Sequence, residues 1–162
     1  MKMKNVRKYV VYSIIVLSIV ILLTLAYLSV KSRTLVNAGL VEGKLAKCPD
    51  TPNCICSEDY KNKNFEPIQI HLENKTSEWA HLKQAIRESG GEIHQDTNYY
   101  LHATFVTPIF RFVDDFEARI DTVNSCIHLR SASRVGDYDF GTNLKRVNRV
   151  VKIYKLKNLP NE

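Results

Sequence analysis

No Asp, Glu, Lys or Arg lies between Lys8 and Lys31, and no acid precedes Glu42. The chain also lacks G-x-S-x-G, a phosphate-binding P-loop and H-E-x-x-H, so no serine-hydrolase elbow, nucleotide cradle or zinc-protease helix is present. Internal repeats and low-complexity segments are absent too. No Cys stands just after the uncharged run, which argues against a bacterial lipoprotein. No A-x-A-like site follows it, and a cleaved signal peptide has an apolar stretch of only about 7–15 residues.

What remains is an apolar run, Val10–Val30, of twenty-one residues. A bilayer core takes about 20 helical residues, so the run is read as an uncleaved membrane anchor. Its polar residues, Ser13, Ser18, Thr24 and Ser29, can bond backbone carbonyls within a helix. Tyr9, Tyr12 and Tyr27 sit near its ends, where aromatic belts form. Lys2, Lys4, Arg7 and Lys8 precede the run, whereas only Lys31 and Arg33 follow closely. The excess orients residues 1–9 to the cytoplasm and the rest of the chain outside it. Residues 10–30 are the anchor, 31–47 a tether, 48–157 an extracytoplasmic domain and 158–162 a tail.

The net charge of +6 belongs to the membrane flanks. Six of the 23 basic residues lie before residue 34, leaving 17 against 17 acids in the remainder. A domain of zero net charge offers no electrostatic footprint for nucleic acid, which is excluded as a partner on that ground. The expected partners are the membrane itself and a membrane protein of unknown identity.

The four cysteines are Cys48, Cys54, Cys56 and Cys126. Pro49 and Pro52 stiffen the loop between Cys48 and Cys54 and favour turns, so the two thiols could reach disulfide distance. An oxidising compartment would permit the bond; in a reducing one all four thiols stay free. The spacing C-x5-C-x-C is not a zinc pattern, and the five histidines show no matching pair, so no metal and no cofactor is expected.

Along the domain, Ser57–Asn64 is polar, with four charges of mixed sign. Pro67–Leu72 alternates as a strand. Residues 77–89 place Trp79, Leu82, Ala85 and Ile86 on one helical face, with Thr76 or Ser77 as cap, Glu78 in the first turn and Gly90-Gly91 as the stop. A short strand at Glu92–Gln95 precedes three longer ones, Tyr99–Val106, Phe110–Ile120 and Cys126–Ser131. In Phe110–Ile120 the apolar residues take one face, while Arg111, Asp115, Glu117, Arg119 and Asp121 take the other, which is read as wet. A last helix runs from Gly141 to Leu156, capped by Asp139 or Thr142. The order gives an α+β domain: an antiparallel sheet of four to five strands with two helices packed on one face.

One carboxylate breaks the alternation. Asp114 falls on the apolar face between Phe112 and Phe116, and a buried carboxylate needs a partner. In a meander it lies near Ala132–Arg134, so Arg134 is the expected partner. Asp114, Arg130, Ser131, Ser133, Arg134, Asp137 and Asp139 then gather at one sheet end, beside the last helix's N-terminus and Asn143. Two arginines, two hydroxyls and a helix N-terminus could hold a carboxylate or phosphate. The competing reading is an Arg–Asp network that locks the strand-to-helix connection. His94, His102 and His128 are read as ordinary sheet residues, and no catalytic triad is visible.

Several segments together resemble the domain-of-unknown-function family numbered 1499. They are CPDTPNC at 48–54, YLHATF from Tyr100, FRFVDD ending at Asp115, IHLRSASRVG from Ile127 to Gly136, and DFGTN from Asp139 to Asn143 with Arg146. The match spans roughly Leu45 to Ile153. Carried over by position, Cys48, Cys54, Asp114, Asp115, Arg130 and Ser131 fit the signature, as do Ser133, Arg134, Gly136, Asp139, Gly141 and Asn143. Cys56 stands where the family has Ser, and Cys126 where it has an apolar residue. The resemblance implies a bacterial or plastid protein with a membrane or export segment, and no particular activity.

The expected function is a membrane-tethered, non-enzymatic accessory or binding module. The alternative is an enzyme or binder acting on an anionic small molecule or lipid at the Arg/Asp cluster, with Asp114 as acid or base and Arg130 and Arg134 holding the anion. A thiol-redox role for Cys54 and Cys56 ranks last, because a C-x-C loop lacks the helix N-terminus that lowers a thiol pKa.

Overall fold

The computed structural model describes residues 2–36, 38–59 and 65–158. Most of the expected tail and the second half of the polar stretch at 57–64 lie outside them. The chain opens with helix α1, Lys2–Thr34, which over Asn5–Thr34 is long and apolar enough to cross a membrane. Its hydroxyls bond inward as expected, Ser18 to the Ile14 carbonyl and Thr24 to that of Val20, both at 2.9 Å.

Two short strands, β1 (Leu40–Val41) and β2 (Lys44–Leu45), form a hairpin. Next come β3 (Cys54–Cys56), β4 (Ile68–Gln69) and helix α2 (Lys75–Glu88). Strands β5 (Glu92–Asp96), β6 (Tyr100–Val106), β7 (Val113–Asp121) and β8 (Cys126–Ser133) follow, then helix α3 (Thr142–Lys157). The main sheet is antiparallel and six-stranded, in the order β3-β8-β7-β6-β5, with β4 also pairing β8. The class is α+β, with more strands than the periodicity suggested. The extra strand of the main sheet, β3, is three residues long, too short for an alternation to register, and the strand expected at Pro67–Leu72 is present as the shorter β4.

One sheet face carries the core. Leu101, Ala103, Phe116, Ala118, Ile127 and Leu129 are fully buried there, against Leu82, Ala85 and Ile86 of α2 and Val147 and Val150 of α3. Both helices therefore cover the same face. The cap expectations need correction. Thr76 and Ser77 lie inside α2, Asn74 precedes it without a side-chain cap, and the Ser77 hydroxyl donates back to the Asn74 carbonyl. At α3 the Asp139 carboxylate accepts from the backbone N–H of Gly141 and Asn143, at 2.9 and 2.7 Å. Thr142 is simply the first helical residue.

Phe110, Arg111 and Phe112 are not in β7, which begins at Val113. The chain bends at Arg111, whose φ is +58°.

The opposite sheet face is not wet. The end of α1 and the β1–β2 hairpin lie over it, with Leu45, Cys56 and Tyr100 buried together. Asp115 and Glu117, assigned above to a solvated face, are fully buried. Alternation distinguishes two faces but cannot say what covers each.

Gly91 ends the α2–β5 connection against the core. A Cβ there would stand 2.7 Å from both Ile86 Cγ2 and Phe105 Cζ. Overpacking of this kind costs about 1–3 kcal/mol. Gly91→Ala should lower the thermal midpoint of the full-length protein in detergent; an unchanged midpoint would contradict this packing.

Candidate functional site

Strand β7 places carboxylates on both of its faces, and each meets an arginine from a different element. On the helix-covered face, Asp114 pairs with Arg146 of α3 at 2.6 Å. On the other face, Glu117 pairs with Arg130 of β8 at 2.7 Å, and Asp115 with Arg134, just beyond β8, at 2.7 and 3.0 Å. The expected Asp114–Arg134 pair is thus corrected. The register does set Asp114 opposite Ser133, but the residue next to Ser133 belongs to the other face, so Arg134 reaches Asp115.

The second face is a continuous polar layer. Glu117 also accepts from the Tyr100 hydroxyl at 2.8 Å and from the backbone N–H of Gly39 at 2.7 Å. Asp115 contacts His102 Nε2 at 2.7 Å. Arg119 reaches Glu58 at 2.5 Å and Asp121 at 3.2 Å. Burial, reinforced by Glu117, pushes the Tyr100 phenol well above its ordinary pKa. The Arg134 guanidinium also donates to the Ser32 carbonyl at 3.1 Å, and the Ser32 hydroxyl accepts from the Val113 N–H at 3.0 Å. The last turns of α1 are therefore bonded to the domain.

The helix-side network ties the rest of the cluster together. Arg146 donates to Ser131 at 2.9 Å and Asn143 at 2.5 Å. The Asn143 amide donates to the Asn53 carbonyl at 2.8 Å and to Ser133 at 3.1 Å. Asn53 lies next to Cys54, which forms a disulfide with Cys48. Ser131, Ser133, Asp139 and Asn143 thus join Asp114 around Arg146, whereas Arg130 and Arg134 sit on the opposite face with Glu117 and Asp115. The expected cluster is two networks, one on each side of the sheet, and Arg146 rather than Arg134 is the arginine of the helix side. Helical periodicity gave no signal of this, because an Arg on an amphipathic helix reads as solvated; only the family resemblance singled Arg146 out.

Each of these three arginines already faces a buried carboxylate, so little positive charge remains for an anionic ligand. Asp114 is 3 % exposed, and burial pushes its pKa up, with Arg146 pulling the other way. The Cys54–Ile55–Cys56 segment offers little redox chemistry: Cys54 is oxidised, and burial pushes the Cys56 thiol up to about 11.

A feature with no sequence signal lies beside Asp114. A cavity of about 510 Å³ opens between Leu25 and Leu28 of α1 and the loops 107–112 and 135–142, with Asp114, Ser133 and Asp139 also lining it. Its lining is largely apolar. Around it Ile109, Tyr138 and Phe140 are 83, 63 and 80 % exposed. Exposed large side chains grouped this way mark an interaction surface. Their positions fell between the elements that periodicity identifies.

Two measurements check this geometry. Removing one partner of a buried ion pair costs about 3–5 kcal/mol, so Asp115→Ala and Asp114→Ala should both destabilise the protein by that order. A loss near zero for Asp115→Ala would restore the wet face. Opening the short Cys48–Cys54 loop should cost about 2 kcal/mol, read as a lower thermal midpoint after reduction, and alkylation of unreduced protein should leave both residues unmodified.

No curated protein matches this chain. A family model described as "Protein of unknown function (DUF1499)" matches residues 44–153, which hold the six-stranded sheet, α2, most of α3 and every residue of the two networks except Gly39 and Ser32. The chain belongs to the DUF1499 family.

Proposed function

We propose that this protein is a single-pass, membrane-tethered extracytoplasmic binding module that holds a lipid chain in the cavity beside its anchor. The observation that carries the reading is the wall formed by Leu25 and Leu28. Both belong to the apolar run of α1. Leu25 lies six residues before Lys31, about 9 Å along a helix. The loops 107–112 and 135–142 therefore reach past the charged flank to the level of the bilayer surface. Tyr138 is the residue type that rests in that zone, and the exposed Ile109 and Phe140 give it an apolar surface to meet. A largely apolar cavity opening there takes an acyl chain more readily than a free anion, and the internally paired arginines weigh the same way. The Lys/Arg excess before the run supports a cytoplasmic N-terminus, and the disulfide fits a domain outside the reducing compartment.

A second reading keeps one observation in its favour. Asp114, with its pKa raised by burial, lines the cavity, which is where an acid or base would stand.

The test uses the full-length protein in vesicles containing a phospholipid with a photoactivatable acyl chain. Crosslinks should fall on the peptides covering 107–112 and 135–142. Leu25→Trp, which fills the cavity from the anchor side, should reduce them several-fold. Labelling confined to residues 10–24 would contradict lipid occupancy. Conversion of the lipid by wild type but not by Asp114→Asn would favour the enzyme.

A further inference from the structure

At the end of β7 away from α1, three side chains of different chemistry converge. Asp121, Cys126 and His128 belong to the β7–β8 hairpin and lie on its polar face, Asp121 directly opposite Cys126 in register. One donor atom from each lies within 4.8 Å of the other two. Cys126 Sγ is 3.5 Å from His128 Nε2, and His128 Nε2 is 3.6 Å from Asp121 Oδ2. We infer that Asp121, Cys126 and His128 form a site for a zinc-class divalent metal ion, with a fourth position open to water.

The distances suit that ion. Zinc binds thiolate at about 2.3 Å, imidazole at about 2.0–2.1 Å and carboxylate at about 2.0–2.2 Å. At tetrahedral angles these bonds set the donor atoms roughly 3.3–3.6 Å apart. Two of the three separations already match, so only the approach of Cys126 to Asp121 has to close. Sulfur, nitrogen and oxygen together favour a borderline-soft ion over magnesium or calcium, which prefer oxygen alone.

The histidine has a hydrogen-bond partner at its distal nitrogen. Ser57 Oγ lies 3.2 Å from His128 Nδ1, accepts from the Leu129 N–H at 2.9 Å and sends its own proton to the Leu129 carbonyl at 3.4 Å. In that arrangement Ser57 accepts from Nδ1–H, which is the tautomer a metal on Nε2 requires. The Nε2 lone pair then faces Cys126 and Asp121. A partner on the distal nitrogen is the usual support of a metal-binding histidine. The same geometry excludes a nucleophile–base–acid relay, because thiol and carboxylate approach the same nitrogen rather than opposite ones.

The neighbours tolerate the ion. Asp121 Oδ1 accepts from the backbone N–H of Val123 and Asn124, at 2.9 and 3.1 Å, which keeps the turn; Oδ2 accepts from the Asn124 side-chain amide at 3.0 Å, a contact on an exposed side chain that yields when Oδ2 serves the metal. Arg119 touches Oδ2 at 3.2 Å but is held more closely by Glu58, at 2.5 Å. Binding releases the Cys126 thiol proton to solvent. Thiolate, carboxylate and neutral imidazole then balance the divalent charge. Cys126 is 2 % exposed, and its other thiol candidate is out of reach. Cys56 pairs with Arg130, four residues along β8 and so about 13 Å away, beyond the roughly 7 Å limit for a disulfide.

The test is titration of the metal-free, full-length protein in detergent, without reductant, with cobalt(II) and zinc. One equivalent of cobalt should produce thiolate-to-metal charge-transfer absorption, and zinc should abolish it by competition. Cys126→Ser and His128→Gln should lose the band, and Cys56→Ser should keep it. Ser57→Ala should weaken zinc binding about 10–100-fold, the effect of losing a histidine's outer partner. Zinc should also raise the thermal midpoint of wild type but not of Cys126→Ser. No charge-transfer band in wild type, or a band that survives Cys126→Ser, would overturn the site. The wild-type titration decides the point even where a variant does not fold.

Discussion

The structure depends on the ionic pairing of one strand. β7 carries Asp114, Asp115 and Glu117, all buried, and three arginines from three other places in the chain meet them. An unpaired buried carboxylate would cost several kcal/mol or take up a proton. The pairs therefore act as constraints: α3, β8 and the loop after β8 must all be in place for β7 to be buried on both sides. Replacing such pairs by apolar residues is often neutral or stabilising elsewhere, so their value here lies in fixing one arrangement rather than in adding stability.

The constraint passes to α1. Arg134, held by Asp115, bonds the Ser32 carbonyl, and Ser32 in turn accepts from Val113 at the start of β7. The covering segment adds Gly39 to Glu117 and the backbone N–H of Leu45 to Glu58. A helix bonded at its last turns to a sheet cannot swing freely, and the cavity beside Leu25 and Leu28 exists only because of that fixed angle. Stability, anchor geometry and the proposed lipid site are linked through the same few hydrogen bonds.

Much of this was legible in the residues, for physical reasons. Helices α2 and α3 and strands β5 to β8 announce themselves because a half-buried element must repeat its apolar residues at its own period. Asp114 was visible as a polar intruder on the apolar face, and the Pro-stiffened loop pointed to the Cys48–Cys54 bond. Asp115 was misread because alternation reports two faces and not what lies over the second. The cover there, the end of α1 and the β1–β2 hairpin, buries Leu45 but leaves Leu40 and Val41 exposed, so it carries no apolar period to read. Arg146 looked like any solvated helix charge. Asp121, Cys126 and His128 match no ligand spacing, since it is the hairpin register that unites them. Ile109, Tyr138 and Phe140 lie in loops, where no period operates.

Bonded in this way, α1 and the domain form one rigid unit. Pulsed electron resonance between nitroxides at Tyr27 and Val123, in full-length protein in lipid nanodiscs, measures it most directly, with the native thiols Cys56 and Cys126 replaced by Ser. A single narrow distance distribution is the result predicted. A broad distribution, as a freely jointed tether gives, would contradict it.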